Sequence, residues 1–223
     1  MPLDIFTLKK NELLKLAQRR CKHGHNFFSH QNCFKKREGE RIGFLDIEAG
    51  DLKADYGTIF CYCILDSKTG KIFEDTITKE DIDKWGKEGK EDTRVLRSLI
   101  RDLDNFDRVV GHFSSRYDLP FIRTRAVMCG LSFPQYGAYK QSDTWRILRS
   151  KFGLSRNSLE SGARNLVGRT RKNRLSLPLK NGCIRGKKWA IDTTLDHCRR
   201  DVRDTKDLYQ KIFGFVKLSG TSI

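Results

Sequence analysis

Arg41-Ile42-Gly43-Phe44-Leu45-Asp46-Ile47-Glu48 is a short apolar run that closes on two carboxylates one residue apart. It reads as a buried strand whose outgoing end presents its acids. Side chains along a strand alternate between faces, so Asp46 and Glu48 project to the same side, about 7 Å apart. Two divalent cations about 3.5 to 4 Å apart, flanked by carboxylates, can clamp the attacking and leaving oxygens of a phosphodiester. Hard oxygen ligands of this kind suit magnesium or manganese. Taken alone, the octapeptide is more simply a strand end where Asp46 caps the next segment and Glu48 is solvated. Carboxylates elsewhere have to decide.

Outward from this run, the chain keeps the period of an α/β domain. Tyr56 to Leu65 is continuously β-rich, Lys71 to Thr78 is a partner strand, and Asp66-Ser-Lys-Thr-Gly70 between them is a hairpin connection. Thr93 to Phe106 is an amphipathic helix with Val95, Leu96, Leu99, Ile100 and Leu103 on one stripe, and Arg108 to Gly111 is a short buried strand. Tyr139 to Phe152 places Asp143 after another strand and before a helix, Thr144 to Lys151; a further helix, Ser158 to Val167, ends at Gly168. Strands that are apolar throughout, covered by helices, imply a mixed α/β sheet protected on both faces.

At 223 residues and 38% apolar content, the chain can bury one sizeable core plus an appendage. Its apolar runs fall far short of the roughly 20 residues of a membrane helix, and Met1 to Leu16 lacks the basic-then-apolar order of a signal peptide. Seven irregularly spaced cysteines argue for a reducing compartment. We therefore expect a cytoplasmic protein with no membrane partner. A formal charge of +16 favours a polyanionic partner, most simply nucleic acid.

The amino-terminal 40 residues read separately: an amphipathic helix from Asp4 to Arg20, a Cys/His-rich loop, and the basic linker Lys35-Lys36-Arg37. Cys21, His25, His30 and Cys33 offer two thiolates and two imidazoles, a ligand set for one structural Zn2+, with His23 the spare. The plain alternative is a polar linker. The expected organisation is thus residues 1–40, a catalytic-type domain over residues 41–215, and a tail over 216–223.

Two further constellations carry acids. Gly111-His-Phe-Ser-Ser-Arg-Tyr-Asp118-Leu-Pro-Phe121 places Asp118 at the start of a helix running to about Cys129, after a strand and turn, where α/β sites usually lie. An N-cap role would also suit an aspartate there. On the last long helix, Ala190 to about Phe213, His197 and Asp201 are four residues apart and share a face. A histidine beside a carboxylate and a metal could orient or activate a water; an ordinary helix salt bridge is the plainer account.

Asp-x-Glu on a first strand, Tyr-Asp-Leu-Pro-Phe on a middle helix and His-x-x-x-Asp-Val on a final helix, in that order, resemble the DEDD 3′-to-5′ exonuclease superfamily. Gly111 to Phe121 is similar to the second exonuclease motif of family B DNA polymerase proofreading domains. Asp143-Thr-Trp-Arg, Asn157-Ser-Leu-Glu160 and His197-Cys-Arg-Arg-Asp-Val resemble the stand-alone YprB-type ribonuclease H-like proteins. The resemblance spans about Ile42 to Phe213 and implies a ribonuclease H-like fold. It further implies Asp46, Glu48, Asp118 and Asp201 as ligands of two Mg2+ or Mn2+ ions, with His197 at the base position. A histidine's ordinary pKa near 6.5 then predicts activity rising from mildly acidic to neutral pH. Two departures stand out. Tyrosine usually lies four before the last aspartate and histidine five, whereas here a histidine has tyrosine's spacing; and Phe113 stands where proofreading domains usually carry asparagine.

The implied substrate is DNA or RNA with a single-stranded 3′ end, alone or delivered by a polymerase or another replication or repair partner. From Lys140 to Lys188 fourteen Lys or Arg face only Asp143 and Glu160. Arg169, Arg171, Lys172, Arg174, Lys187 and Lys188 are the candidate phosphate contacts, on a loop, Arg169 to Lys188, expected to be mobile until nucleic acid binds. Trp145, Phe152 and Trp189 interleave with these charges as candidate stacking surfaces or core residues. Two other readings remain open: a catalytically inactive nucleic-acid-binding module, and a ribonuclease H-like endonuclease.

Overall fold

The structure is a computed structural model that describes residues 10–18, 20, 24–29, 40–134, 138–171 and 176–215. Strands β1 (Ile42–Ala49), β2 (Ile59–Asp66) and β3 (Ile72–Thr76) form an antiparallel meander, and β4 (Arg108–Gly111) and β5 (Lys140–Asp143) run parallel to β1. The sheet order is β3-β2-β1-β4-β5, a mixed α/β arrangement with β1 at the centre. Helices are α1 (Lys10–Gln18), α2 (Lys79–Trp85), α3 (Thr93–Leu103), α4 (Asp118–Met128), α5 (Thr144–Lys151), α6 (Leu159–Gly162), α7 (Leu177–Ile184) and α8 (Lys188–Phe213), with a π-helical turn at Ala163–Val167.

The alternation of β1 sorts its side chains between two cores. Leu45, Ile47 and Ala49 join Tyr62, Ile64, the α3 stripe of Val95, Leu96, Leu99 and Leu103, and Leu119, Phe121 and Ile122 of α4. Phe44 faces the other way, onto Cys61, Cys63 and Leu65 of β2, Val110 of β4, and Cys198, Val202 and Tyr209 of α8. Asp46 and Glu48 share Phe44's parity, so strand periodicity alone delivers both acids to the face that α8 covers. Each fully buried aliphatic side chain in these layers contributes about 1.5–3 kcal/mol, which fixes that register firmly.

Several boundaries and two elements differ from the sequence reading. The second strand begins at Ile59, since Tyr56 is exposed in the loop before it. Helix α2 has no apolar period to announce it; a capping box holds its start, where Thr78 Oγ1 accepts from Asp81 N and the Asp81 side chain accepts from Thr78 N. The expected mobile loop from Arg169 to Lys188 contains α7, whose Leu179, Gly182 and Cys183 are buried. A Cβ added at Gly182 would lie 2.5 Å from Ala190 Cβ, so the absent side chain lets α7 approach α8 closely. Of the amino-terminal helix expected from Asp4 to Arg20, Lys10–Gln18 is helical; residues 4–9 and Arg19 lie outside the described residues. So do Cys21, His30 and Cys33 of the expected zinc set, Lys172 and Arg174, and the tail from residue 216. Among the described residues no helix is long and apolar enough to cross a membrane.

Candidate active site

The site forms where β1 outruns its parallel neighbour. β4 pairs with β1 only over Ile42 to Phe44, so beyond Gly111 the edge of β1 is open on that side. The start of α4 fills the opening: Asp118 Oδ1 accepts the Ile47 backbone N–H at 3.2 Å. This bond sets Asp118 against the peptide that separates Asp46 from Glu48. From the sheet face, α8 presents His197 and Asp201, both buried. His197 Nε2 lies 3.4 Å from Glu48 Oε1 and 3.8 Å from Asp201 Oδ2, one imidazole nitrogen between two carboxylates. One turn on the helix separates His197 from Asp201, and Cys198 beside them donates to the Asp46 carbonyl at 3.3 Å. Just past Glu48 the pairing of β1 with β2 shifts register, a bulge that ends the ladder at the acids.

A strained turn delivers Asp118 to this place. Phe113 has φ +66°, a left-handed conformation that bulky side chains seldom adopt. Asp143, at the end of β5, holds it there. Its carboxylate accepts from the backbone N–H groups of Phe113 at 2.9 Å and Ser115 at 3.0 Å and from the Ser115 hydroxyl, while also capping α5 through Trp145 N. Gly111 permits the turn to close: a Cβ there would sit 2.4 Å from Ser114 Cβ. In the sequence Asp143 stands out as a residue between strand and helix and as the first of the Asp143-Thr-Trp-Arg stretch. Its clamping role has no local signature, because the groups it binds are about thirty positions earlier.

The electrostatics are those of crowded acids. Burial pushes the Asp118 carboxyl up to about 7, and the charges of Asp143 and Asp201 push it the same way, against hydrogen bonds from its own backbone N–H and that of Ile47. Burial, and the nearby charges of Asp118, Glu48 and Asp46, push the Tyr117 phenol well up, so it stays protonated; its hydroxyl donates to the Asp51 carbonyl at 3.0 Å. A divalent cation is the natural complement of such a donor set, and carboxylate oxygens fit magnesium or manganese. Among the described residues, however, no three His, Cys, Asp or Glu side chains converge as a metal-ion site. His197 lies between Glu48 and Asp201.

Comparison with known proteins agrees with this fold. A family model described as RNase_H superfamily matches residues 43–213. The chain belongs to the RNase H superfamily. A search of the curated proteins finds no match. Among solved structures, the family B DNA polymerase from the hyperthermophilic archaeon Pyrobaculum calidifontis superposes with a TM-score of 0.62 at 20% identity, covering 80% of this chain and 25% of the polymerase. The chain thus spans about a quarter of that polymerase's length, and the likeness is one of fold. The RNase H core begins at the β1 glycine, Gly43, and ends at the last residue of α8, so all four acids and His197 fall inside it.

Of the basic residues singled out from the sequence, Arg169, Arg171 and Lys188 are paired with carboxylates. Arg171 pairs with Asp204 at 2.6 Å and Asp207 at 2.9 Å, and Arg169 pairs with Asp207 at 2.9 Å. Asp204 is buried and also accepts from Thr170 Oγ1 and Arg171 N, which ties this segment to α8. Lys188 pairs with Asp192 one turn along α8, and Trp189 beside it is exposed.

Proposed function

We propose that this protein is a 3′-to-5′ exonuclease that hydrolyses phosphodiester bonds of DNA or RNA with two divalent ions. The observation that carries the reading is the meeting of three remote segments: Asp118 bonded to the Ile47 amide between Asp46 and Glu48, and His197 of α8 at 3.4 Å from Glu48 and 3.8 Å from Asp201. Asp46, Glu48, Asp118 and Asp201 would hold magnesium or manganese, which when bound supplies charge neutralisation and Lewis-acid polarisation at the scissile phosphate. His197 Nε2 stands beside this acid group, where it can take a proton from an attacking water. The Asp143 clamp fixes the turn that carries Asp118, so the acid is positioned before substrate arrives. Tyr117 stays protonated and able to donate.

The distinguishing experiment uses single-stranded DNA and RNA labelled at the 3′ or the 5′ end, with magnesium, manganese or chelator. The expected result is metal-dependent loss of 3′ label as mononucleotide and a ladder from 5′ label, abolished by Asp46→Ala, Glu48→Ala or Asp201→Ala in variants whose circular dichroism matches the parent. Cleavage of a circular strand would replace the exonuclease with an endonuclease. No metal-dependent product from any substrate would leave a nucleic-acid-binding module.

A further inference from the structure

A cavity of about 580 Å³ lies beside the Asp143 clamp, lined by Arg116, Trp145, Arg146, Arg149 and Ser150. Its cations come from two elements: Arg116 from the turn that leads to Asp118, the others from α5. The Cζ atoms of Arg149 and Arg116 lie 5.1 and 5.9 Å from the Trp145 ring centroid, within reach of its negative face. Phe113, in its left-handed conformation, packs edge-on against the same ring at 4.9 Å. Trp145 is therefore held by the strained turn and in turn holds two guanidiniums toward one space.

Among the described residues no carboxylate pairs with Arg116, Arg146 or Arg149. Arg164, Arg169, Arg171 and Lys188 all have acidic partners. Guanidiniums gathered around one cavity repel one another, and an anion that accepts their N–H groups relieves that cost. Arg116 also lines the neighbouring cleft formed by Leu52 to Asp55, Tyr117, Pro120 and Thr124, so the two hollows meet at its side chain, two residues before Asp118.

We propose that Arg116, Arg146 and Arg149 form a phosphodiester clamp for a single-stranded nucleic acid, with Trp145 as the positioning residue that orients the guanidiniums. The strand held there is the segment leading to the end presented at the four acids, so this assignment rests on the nuclease reading above. Ser150 contributes a neutral hydroxyl to the same wall.

The test measures binding of short single-stranded DNA and RNA to the full chain by fluorescence anisotropy, in chelator, between about 50 and 200 mM salt. Arg146→Ala/Arg149→Ala should weaken binding at least tenfold at the low-salt end. It should also flatten the plot of log K against log salt by about 1.4, roughly 0.7 for each phosphate of a single strand that is no longer neutralised. Trp145→Ala should weaken binding with less change of slope, and Trp145→Phe should restore part of the loss. Arg97→Ala, an exposed charge on α3 away from the cavity, should change neither affinity nor slope. An arginine double variant with parental affinity and slope would overturn the clamp, as would an equal effect of Arg97→Ala. Displacement of the strand by millimolar inorganic phosphate at constant ionic strength would assign the cavity to a free anion and also overturn it. Because the measurement excludes hydrolysis, a protein that binds through this clamp yet degrades nothing would uphold the clamp and remove the exonuclease.

Discussion

Replacing Asp118 by asparagine separates the structural cost of this carboxylate from its chemical use. An ordinary aspartyl carboxyl titrates near 3.8, whereas burial, reinforced by Asp143 and Asp201, raises that of Asp118 to about 7. Between those values the folded chain holds a proton that the unfolded chain has released. Stability from this group is therefore intact below about pH 4, falls as pH rises through the window, and is fully lost above about pH 7. At about 1.36 kcal/mol per pH unit, the penalty at pH 8 is on the order of 4 kcal/mol. Asparagine keeps an oxygen to accept the Ile47 N–H, which lies 3.2 Å from Asp118 Oδ1, and carries no charge to desolvate. In chelator at pH 8, Asp118→Asn should exceed the parent in urea denaturation by about 2–4 kcal/mol, equivalent to a rise of roughly 5–15 °C in Tm. The advantage should vanish near pH 4. Added manganese should stabilise the parent more than the variant, since the ion offsets a charge that the variant lacks. The variant should show no nuclease turnover under any condition. A variant no more stable than the parent at pH 8, or one whose advantage is the same at pH 4 and pH 8, would refute the account of Asp118 as a carboxylate held at electrostatic cost.

Three other outcomes are expected from particular contacts. Arg125 and Asp92, both buried, are joined by bonds of 2.6 and 2.8 Å, and Asp92 also accepts from Ile59 N. Arg125→Met strands that carboxylate and should cost about 3–5 kcal/mol by chemical denaturation, while a loss below about 1 kcal/mol would show that water reaches the pair. Gly111→Ala forces a methyl to within 2.4 Å of Ser114 Cβ and 3.2 Å of the Leu45 carbonyl, so the turn must shift. It should cost about 1–3 kcal/mol and lower turnover more than substrate affinity, since it displaces Asp118. At the amino terminus, metal analysis of freshly purified reduced protein should find one zinc per chain if Cys21, His25, His30 and Cys33 ligate it, and Cys33→Ser should release it; a zinc-free parent would remove that assignment.

The residues that are legible in the sequence share one property: their meaning is local. β1 alternates cleanly, so Asp46 and Glu48 can be placed on one face before any partner is known, and the β5 to α5 boundary shows itself by Asp143 preceding a helical period. The buried stripe of α8 passes through Thr194, His197, Cys198, Asp201, Asp204 and Thr205. Polar residues on an inward stripe are themselves the signal of a site, although they weaken the apolar period on which helix reading relies. Helix α7 escapes such reading because its close approach to α8 is made by Gly182, which no hydrophobic pattern records; Pro178 in its first turn is the available cue. Phe113 runs against residue preference, and the contacts that hold it in place include the Asp143 carboxylate, thirty positions later in the chain.

Charge is the least legible feature of all. Counting cations between Lys140 and Lys188 identifies a basic half, yet availability to a ligand depends on partners, some of them more than thirty positions away. Arg171 is bound to Asp204 and Asp207, whereas Arg146 and Arg149, unremarkable in the same count, have no carboxylate among the described residues. A paired guanidinium must give up its carboxylate before it can take a phosphate, while an unpaired one set against an aromatic ring need not. The nucleic-acid track is therefore better sought along α5 and the Phe113 turn, on the rigid frame that carries Asp118, than along the Arg169 to Lys188 segment where cation density is highest.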